Sequence, residues 1–204
     1  MLLMHLQRLK KIACYLNRAR SFRYSSFGWN LLGALIEKIT GSHYLTYMSE
    51  TIFNPLGMES TLGDDATKTI TNRSTFYDLT GKPNDLGDIS YKYASGGLLS
   101  TADDLVKFGN EMLNGKSLTE KQRDILFQSQ KTKAGNETGY GLGWYTGVDR
   151  NGHRIWYHAG DSFSSSSWLV IYPDDKLVVA LVANSQHAAD FDIYEVGELF
   201  YGNK

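Results

Sequence analysis

One cysteine, Cys14, stands in the whole chain, so no internal disulfide can staple it, and the thiol reads as unreactive. Proline is almost as scarce, at three residues in 204. No apolar run approaches the roughly 18 residues of a membrane-spanning helix. The net charge of −1 gives no general attraction to nucleic acid or to an anionic membrane. The five histidines, at 5, 43, 153, 158 and 187, form neither a His-x-His-x-Asp nor a His-Glu-x-x-His pattern, which leaves metal hydrolysis without a ligand set. A Gly-x-Ser-x-Gly elbow and a phosphate-binding glycine loop are also missing. So is any serine with a lysine three residues on: Ser21 leads to Tyr24, Ser42 to Leu45, Ser100 to Asp103 and Ser164 to Ser167.

With 42% apolar residues and twenty glycines, the chain reads as globular and large enough for a real core. Its charge is lopsided. Arg8, Lys10, Lys11, Arg18, Arg20 and Arg23 precede the first acidic residue, Glu37. In residues 1–21 the spacing of Leu2, Leu6, Leu9, Ala13 and Leu16 fits a basic amphipathic helix on a membrane surface or partner. A mitochondrial presequence and an incidental start to the reading frame stay open beside that reading. A secretory signal is not indicated, because Ile12 to Leu16 is too short for its apolar core.

From Phe22 to Thr61 the signals are dense. A Tyr24-Ser25-Ser26 turn precedes a helix of about 14 residues, with Leu31, Leu32, Leu35, Ile36 and Ile39 on one face and Asn30, Glu37 and Lys38 on the other. Gly41 closes it, and a second helix runs into a Pro55-Leu-Gly-Met58 turn. Leu62 to Ser90 is polar and irregular around a short strand-like stretch, Ser74 to Asp78. A capping-box pattern at Ser100 to Asp103 opens a helix to about Leu113, closed by Gly115, and Thr119 caps another to about Gln128. The period then changes from 3.6 to 2. Residues 141–148, 153–158, 166–172 and 177–184 read as strands joined by Asp149-Arg-Asn-Gly and Pro173-Asp-Asp turns, and 188–201 as a closing helix. The expected class is α+β, with a helical part over about 22–130 and an antiparallel sheet plus terminal helix over about 138–204.

Four blocks in register, Tyr24-Ser-Ser-Phe-Gly with the Leu-Leu-Gly helix and Pro-Leu-Gly-Met, then Ser95-Gly-Gly-Leu-Leu-Ser-Thr-Ala-Asp-Asp-Leu105, Tyr140-Gly-Leu-Gly-Trp144 and His158-Ala-Gly160, resemble the serine β-lactamase-like family. That family includes class C β-lactamases, D-alanyl-D-alanine carboxypeptidases and related esterases. The likeness spans roughly Phe22 to Gly202 and implies a β-lactamase/transpeptidase-like fold with its N-terminal part missing. It implies a serine nucleophile on a Ser-x-x-Lys helix, a Tyr-x-Asn element and a Lys- or His-x-Gly strand, acting on a β-lactam, a D-amino-acyl peptide or a small ester without a cofactor.

Carried over residue by residue, Tyr24 takes the place of the general base, its pKa lowered by a neighbouring cation, and His158 supports the Tyr24 phenolate or a substrate carboxylate. Ser26 stands where most members have Asn and reaches less far toward substrate. Gly160 lets substrate lie along the strand, and the Asp161 N–H is one arm of an oxyanion hole. Ser164 replaces a glycine common in the family. On the residues alone, Tyr24 simply anchors a turn and His158 is a strand histidine. In the family the nucleophile motif lies many tens of residues before the tyrosine, so the chain reads as the C-terminal portion of such a hydrolase, inactive by itself. The other reading is a non-catalytic truncated product or binding module of the same fold. Expected partners are a small-molecule or peptide acyl substrate in the complete enzyme and, through an unpaired strand edge near 177–184, other copies of the chain. Bacterial members of the family are often exported; no signal or spanning segment assigns a compartment to this chain.

Overall fold

In the computed structural model, residues 21–162, 164–185 and 191–201 are described; the expected basic segment of residues 1–21 lies outside them except for Ser21. The chain forms two compact units that interleave along the sequence: Met1–Thr71 with Leu86–Leu99 and Lys131–Thr138, and Asn72–Asp85 with Ser100–Gln130 and Gly139–Lys204.

Among the described residues, the first helix of the first unit is α1, Ser26–Thr40. Ser25 caps its start, the side-chain oxygen accepting from the Gly28 N–H at 3.3 Å, and Gly41 ends it at φ +72° with its N–H on the Glu37 carbonyl. Glu37 then accepts the Tyr44 N–H at 2.8 Å, at the start of helix α2, Tyr44–Met48. A π-helical turn, Ser49–Phe53, continues it. Strand β1, Leu62–Gly63, pairs antiparallel with β2, Leu98–Leu99, which follows the short helix α3, Tyr93–Gly96. The side of α1 that is packed here carries Gly33, where an added Cβ would lie 2.6 Å from the Ala94 Cβ. Of the expected apolar stripe, Leu31 and Ile36 are half-buried, while Leu32, Leu35 and Ile39 are exposed, Ile39 to 81%.

The second unit is a three-layer arrangement. Its sheet has the order β3-β4-β5-β6, antiparallel throughout, from Tyr145–Val148, Arg154–Ser162, Ser165–Tyr172 and Leu177–Ala183. Alternation of side chains along β5 sends Val170 and Tyr172 to one face and Leu169 and Ile171 to the other. Helix α6, Ile193–Tyr201, covers the first face through Ile193 and Tyr201. Helices α4, Ala102–Asn114, and α5, Glu120–Phe127, cover the second, where Phe127 stacks on Trp156 at 3.8 Å and meets Trp144. Burying aromatic rings of this size contributes several kcal/mol, which is why both faces of the sheet are closed by helices. The cap of α4 is Thr101, one residue beyond the expected Ser100, and the full capping box stands at Thr119 and Gln122 of α5.

The expected strand at Ser74 to Asp78 reduces to bridges at Tyr77, one to Pro83 and one to Ser185 just beyond β6. The turns fall where the sequence places them. Gly152, at φ +87°, closes the β3–β4 hairpin, and Asp149 organises it: its Oδ1 accepts the N–H groups of Asn151 at 3.0 Å and His153 at 2.9 Å, and the Tyr201 hydroxyl donates to Oδ2. Burial pushes the Asp149 carboxyl up, but these donors together outweigh it and leave its pKa below the ordinary 3.8. Asp149→Ala leaves three donors without their acceptor, so a loss of about 3 kcal/mol in urea melts at pH 7 is expected. The carboxylate stabilises the fold fully above pH 3.8, and this contribution fades as pH falls below that value. An acid titration of stability should therefore fall less steeply below pH 3.8 in Asp149→Asn than in the parent chain.

Candidate active site

The five residues singled out from the sequence divide between the units. Tyr24, 38% exposed, sits just before the α1 cap, and Ser26, exposed, is the first residue of that helix. The neighbouring Ser25 hydroxyl is committed to the cap. His158, Gly160 and Asp161 lie together on β4 in the second unit.

The pairing of β4 explains why this stretch is accessible. Strand β3 pairs β4 only from Arg154 to Tyr157, whereas β5 pairs it as far as Ser162. From His158 onward, none of the described strands lies on the β3 side. Gly160 and Asp161 in that stretch are exposed. Gly160 faces Ser167, and a Cβ there would sit 2.6 Å from the Ser167 hydroxyl oxygen, so a side chain would have to displace Ser167 before it could occupy the strand surface. An extended segment can add to such a margin by backbone hydrogen bonds.

His158 is half-buried, and both ring nitrogens have partners within the unit. Nδ1 is 2.8 Å from the Ala159 carbonyl, and Nε2 is 3.2 Å from the Tyr140 hydroxyl. A carbonyl can only accept, so Nδ1 carries the proton and Nε2 takes the hydrogen of Tyr140. Burial pushes the His158 pKa below 6.5, against a smaller upward pull from the Ala159 carbonyl, and the ring is neutral at pH 7.

Tyr140 opens the Tyr-Gly-Leu-Gly-Trp motif, and the sequence assigned it no role. The signal that could have found it is a motif with two glycines immediately ahead of a strand. The structure accounts for each residue type. Gly141 passes so close to α5 that a Cβ would be 2.4 Å from the Leu126 carbonyl oxygen, Gly143 turns at φ +96°, and Trp144 enters the core.

The serine run after β4 is structural at the positions described. Ser164 is fully buried and accepts from Asn84 Nδ2 at 2.5 Å, across 80 residues of sequence. Ser166 donates to the Ser185 carbonyl at 3.3 Å. In the first unit a cavity of about 450 Å³ is lined by Leu45, Glu50, Phe53, Asp65 and Lys68 among others, and it holds none of the five residues. Among the described residues no cluster of His, Cys, Asp or Glu could hold a metal ion.

The family model of beta-lactamases matches residues 15–199. The mitochondrial serine beta-lactamase-like protein LACTB of Homo sapiens is 45% identical over 98 residues, 46% of this chain and 18% of that protein. Penicillin-binding protein 4* of Bacillus subtilis is 21% identical over 193 residues, 87% of this chain and 43% of that protein. Among solved structures, a D-stereospecific amidohydrolase from Streptomyces sp. superposes with a TM-score of 0.74 at 23% identity, over 90% of this chain and 56% of that one. The octameric penicillin-binding protein homologue from Pyrococcus abyssi gives 0.74 at 24% identity, over 89% and 43%. The chain thus spans less than half the length of these two curated relatives, and the structural matches carry the fold.

Proposed function

The chain belongs to the beta-lactamase family, and from that premise we propose that it carries the tyrosine and histidine elements of a serine-dependent acyl-transfer site. The substrate class is a β-lactam, a D-amino-acyl peptide or an ester. The observation that carries this reading is the stretch of β4 at Gly160 and Asp161, which is exposed and lies beyond the end of the β3 pairing at Tyr157 while β5 still pairs it. It suits an extended acyl substrate laid along Gly160, and it falls on the very residues that match the family's His-x-Gly motif.

In this reading the nucleophile is supplied by a segment other than these 204 residues, since no serine here has the lysine that would activate it. The Tyr24 oxygen takes the proton of that serine as it attacks the acyl carbon. The Asp161 N–H stabilises the oxyanion of the tetrahedral intermediate, and collapse expels the amine or alkoxide, to which Tyr24 returns the proton. Water then hydrolyses the acyl-enzyme by the same exchange in reverse. Ser26 donates a hydrogen bond to the substrate.

Reconstitution tests this. The chain alone should leave p-nitrophenyl acetate and a chromogenic cephalosporin unhydrolysed above a heat-treated control. Fused behind the Ser-x-x-Lys segment of a related enzyme, it should hydrolyse ester and show an acyl adduct on the supplied serine by mass spectrometry. An adduct on a serine of the chain alone, or a folded fusion that is inert, would overturn the proposal.

A further inference from the structure

The imidazole of His158 is fixed on three sides. Ala159 holds Nδ1, the Tyr140 hydroxyl holds Nε2, and the Tyr145 ring lies 5.6 Å away at 43°. Tyr140 is itself immobilised. It is 7% exposed, meets Tyr145 edge-on at 4.7 Å, and bridges that residue through the backbone. Its carbonyl accepts the Gln130 N–H at 2.9 Å, and the next residue, Gly141, donates to the Trp144 carbonyl at 2.7 Å. A buried tyrosine held this firmly, with its hydroxyl directed at a site histidine, does more than fill space.

We propose that Tyr140 is a positioning residue of the site. It holds His158 as the neutral Nδ1–H ring with Nε2 at a fixed distance from the phenol, so that the imidazole presents one orientation to the open margin of β4. This rests on the reading of His158 as a site residue. The phenol suits the task because a hydroxyl both donates and accepts: it donates to the lone pair of neutral Nε2, and if that nitrogen takes up a proton the oxygen can turn to accept it. The ring is thus kept in place in either state. Among the described residues the phenols of Tyr140 and Tyr145 lie beside the imidazole, Tyr157 stacks on Tyr145 at 5.2 Å, and the residue opposite on β5 is Leu169.

The test reads the histidine directly in the full 204-residue chain. In ¹⁵N–¹H imidazole correlation spectra near pH 7.5, His158 should show a protonated Nδ1 and an unprotonated Nε2. In Tyr140→Phe the Nε2 resonance should move, and the titration midpoint of His158 should fall by about one pH unit, because the buried imidazolium loses an acceptor worth more than the neutral ring's donor. His43 and His153 should be unchanged. If Tyr140→Phe fails to fold, 3-fluorotyrosine placed at 140 keeps the shape and strengthens the donor while the phenol stays protonated, and Nε2 should then shift in the direction opposite to that of Tyr140→Phe. An unprotonated Nδ1 in the parent chain, or spectra indifferent to both variants, overturns the proposal whatever the reconstituted enzyme does. In that enzyme Tyr140→Phe should lower kcat about tenfold with KM nearly constant, as loss of orientation predicts. Expected spectra beside an active enzyme indifferent to Tyr140→Phe would overturn the positioning role, whereas an inert parent fusion would overturn the proposed reaction and leave the Tyr140–His158 pair supported by its spectra.

Discussion

Tyr24→Phe in the reconstituted enzyme should lower kcat by about 10³-fold, with KM changed far less. The phenol oxygen is the only part removed, and general base catalysis by one positioned group contributes roughly 10²- to 10⁴-fold. In the proposed site the substrate is bound along β4 by Gly160 and Asp161, which the substitution leaves alone. Ser25→Ala supplies the contrast next door. Its hydroxyl accepts from the Gly28 N–H at 3.3 Å and caps α1, so the variant should lose about 1 kcal/mol of stability and keep activity within a factor of two or three. Steady-state ester hydrolysis beside urea melts separates the two. A Tyr24→Phe enzyme retaining a third or more of its kcat, with its melt unchanged, would remove Tyr24 from the mechanism. Equal losses of activity in Tyr24→Phe and Ser25→Ala would instead point to a turn that matters only as the support of α1.

The elements that local signals specify were legible. The turn ahead of α1, the Gly41 stop, the Thr119 cap and the Asp149-Arg-Asn-Gly hairpin each follow from a few adjacent residues whose backbone demands are nearly independent of the rest of the fold. Strand ends were less so. Apolar alternation alone stops β4 at His158, but the strand continues to Ser162, because pairing with β5 sustains its last residues. Periodicity also marks Leu31, Leu32, Leu35, Ile36 and Ile39 as one apolar face of α1. In the described chain Leu31 and Ile36 are half-buried and Leu32, Leu35 and Ile39 are exposed, and close approach is made by Gly33 against Ala94, a contact that depends on a small residue and leaves no hydrophobic signature. Links over long sequence distances, Asn84 to Ser164 and Tyr201 to Asp149, could not be read from composition at all. For the candidate site, motif matching pointed to His158 and its neighbours; the partner of its Nε2 lay in a different motif 18 residues earlier, and only the pairing of strands brings the two together.

Gly141→Ala should be the most damaging single-methyl change in the Tyr-Gly-Leu-Gly-Trp segment, at about 3 kcal/mol or more. The new Cβ would stand 2.4 Å from the Leu126 carbonyl oxygen and 3.2 Å from both the Gln128 oxygen and the Phe127 carbonyl carbon. These are backbone atoms, so no rotamer change can relieve the clash; the segment must pull away from the end of α5. Doing so strains the bonds that fix it, Gly141 N–H to the Trp144 carbonyl at 2.7 Å and Leu142 N–H to the Leu126 carbonyl at 2.8 Å, and it loosens Trp144 from Phe127. Overpacking of an interior commonly costs about 1–3 kcal/mol, and an unyielding backbone contact puts this case at the top of that range or above it. Two neighbours calibrate the claim. Gly143→Ala meets a φ of +96° and should cost about 1–2 kcal/mol through backbone strain alone. Leu142→Ala, at a side chain 53% exposed, should cost well under about 1 kcal/mol. Urea midpoints in the order parent, Leu142→Ala, Gly143→Ala, Gly141→Ala from highest to lowest would bear this out. Because Tyr140 adjoins the displaced residue, the His158 imidazole resonances should also move in Gly141→Ala and stay put in Leu142→Ala. A Gly141→Ala midpoint within experimental scatter of the parent would mean that the approach of this segment to α5 is not the constraint that places the phenol beside His158.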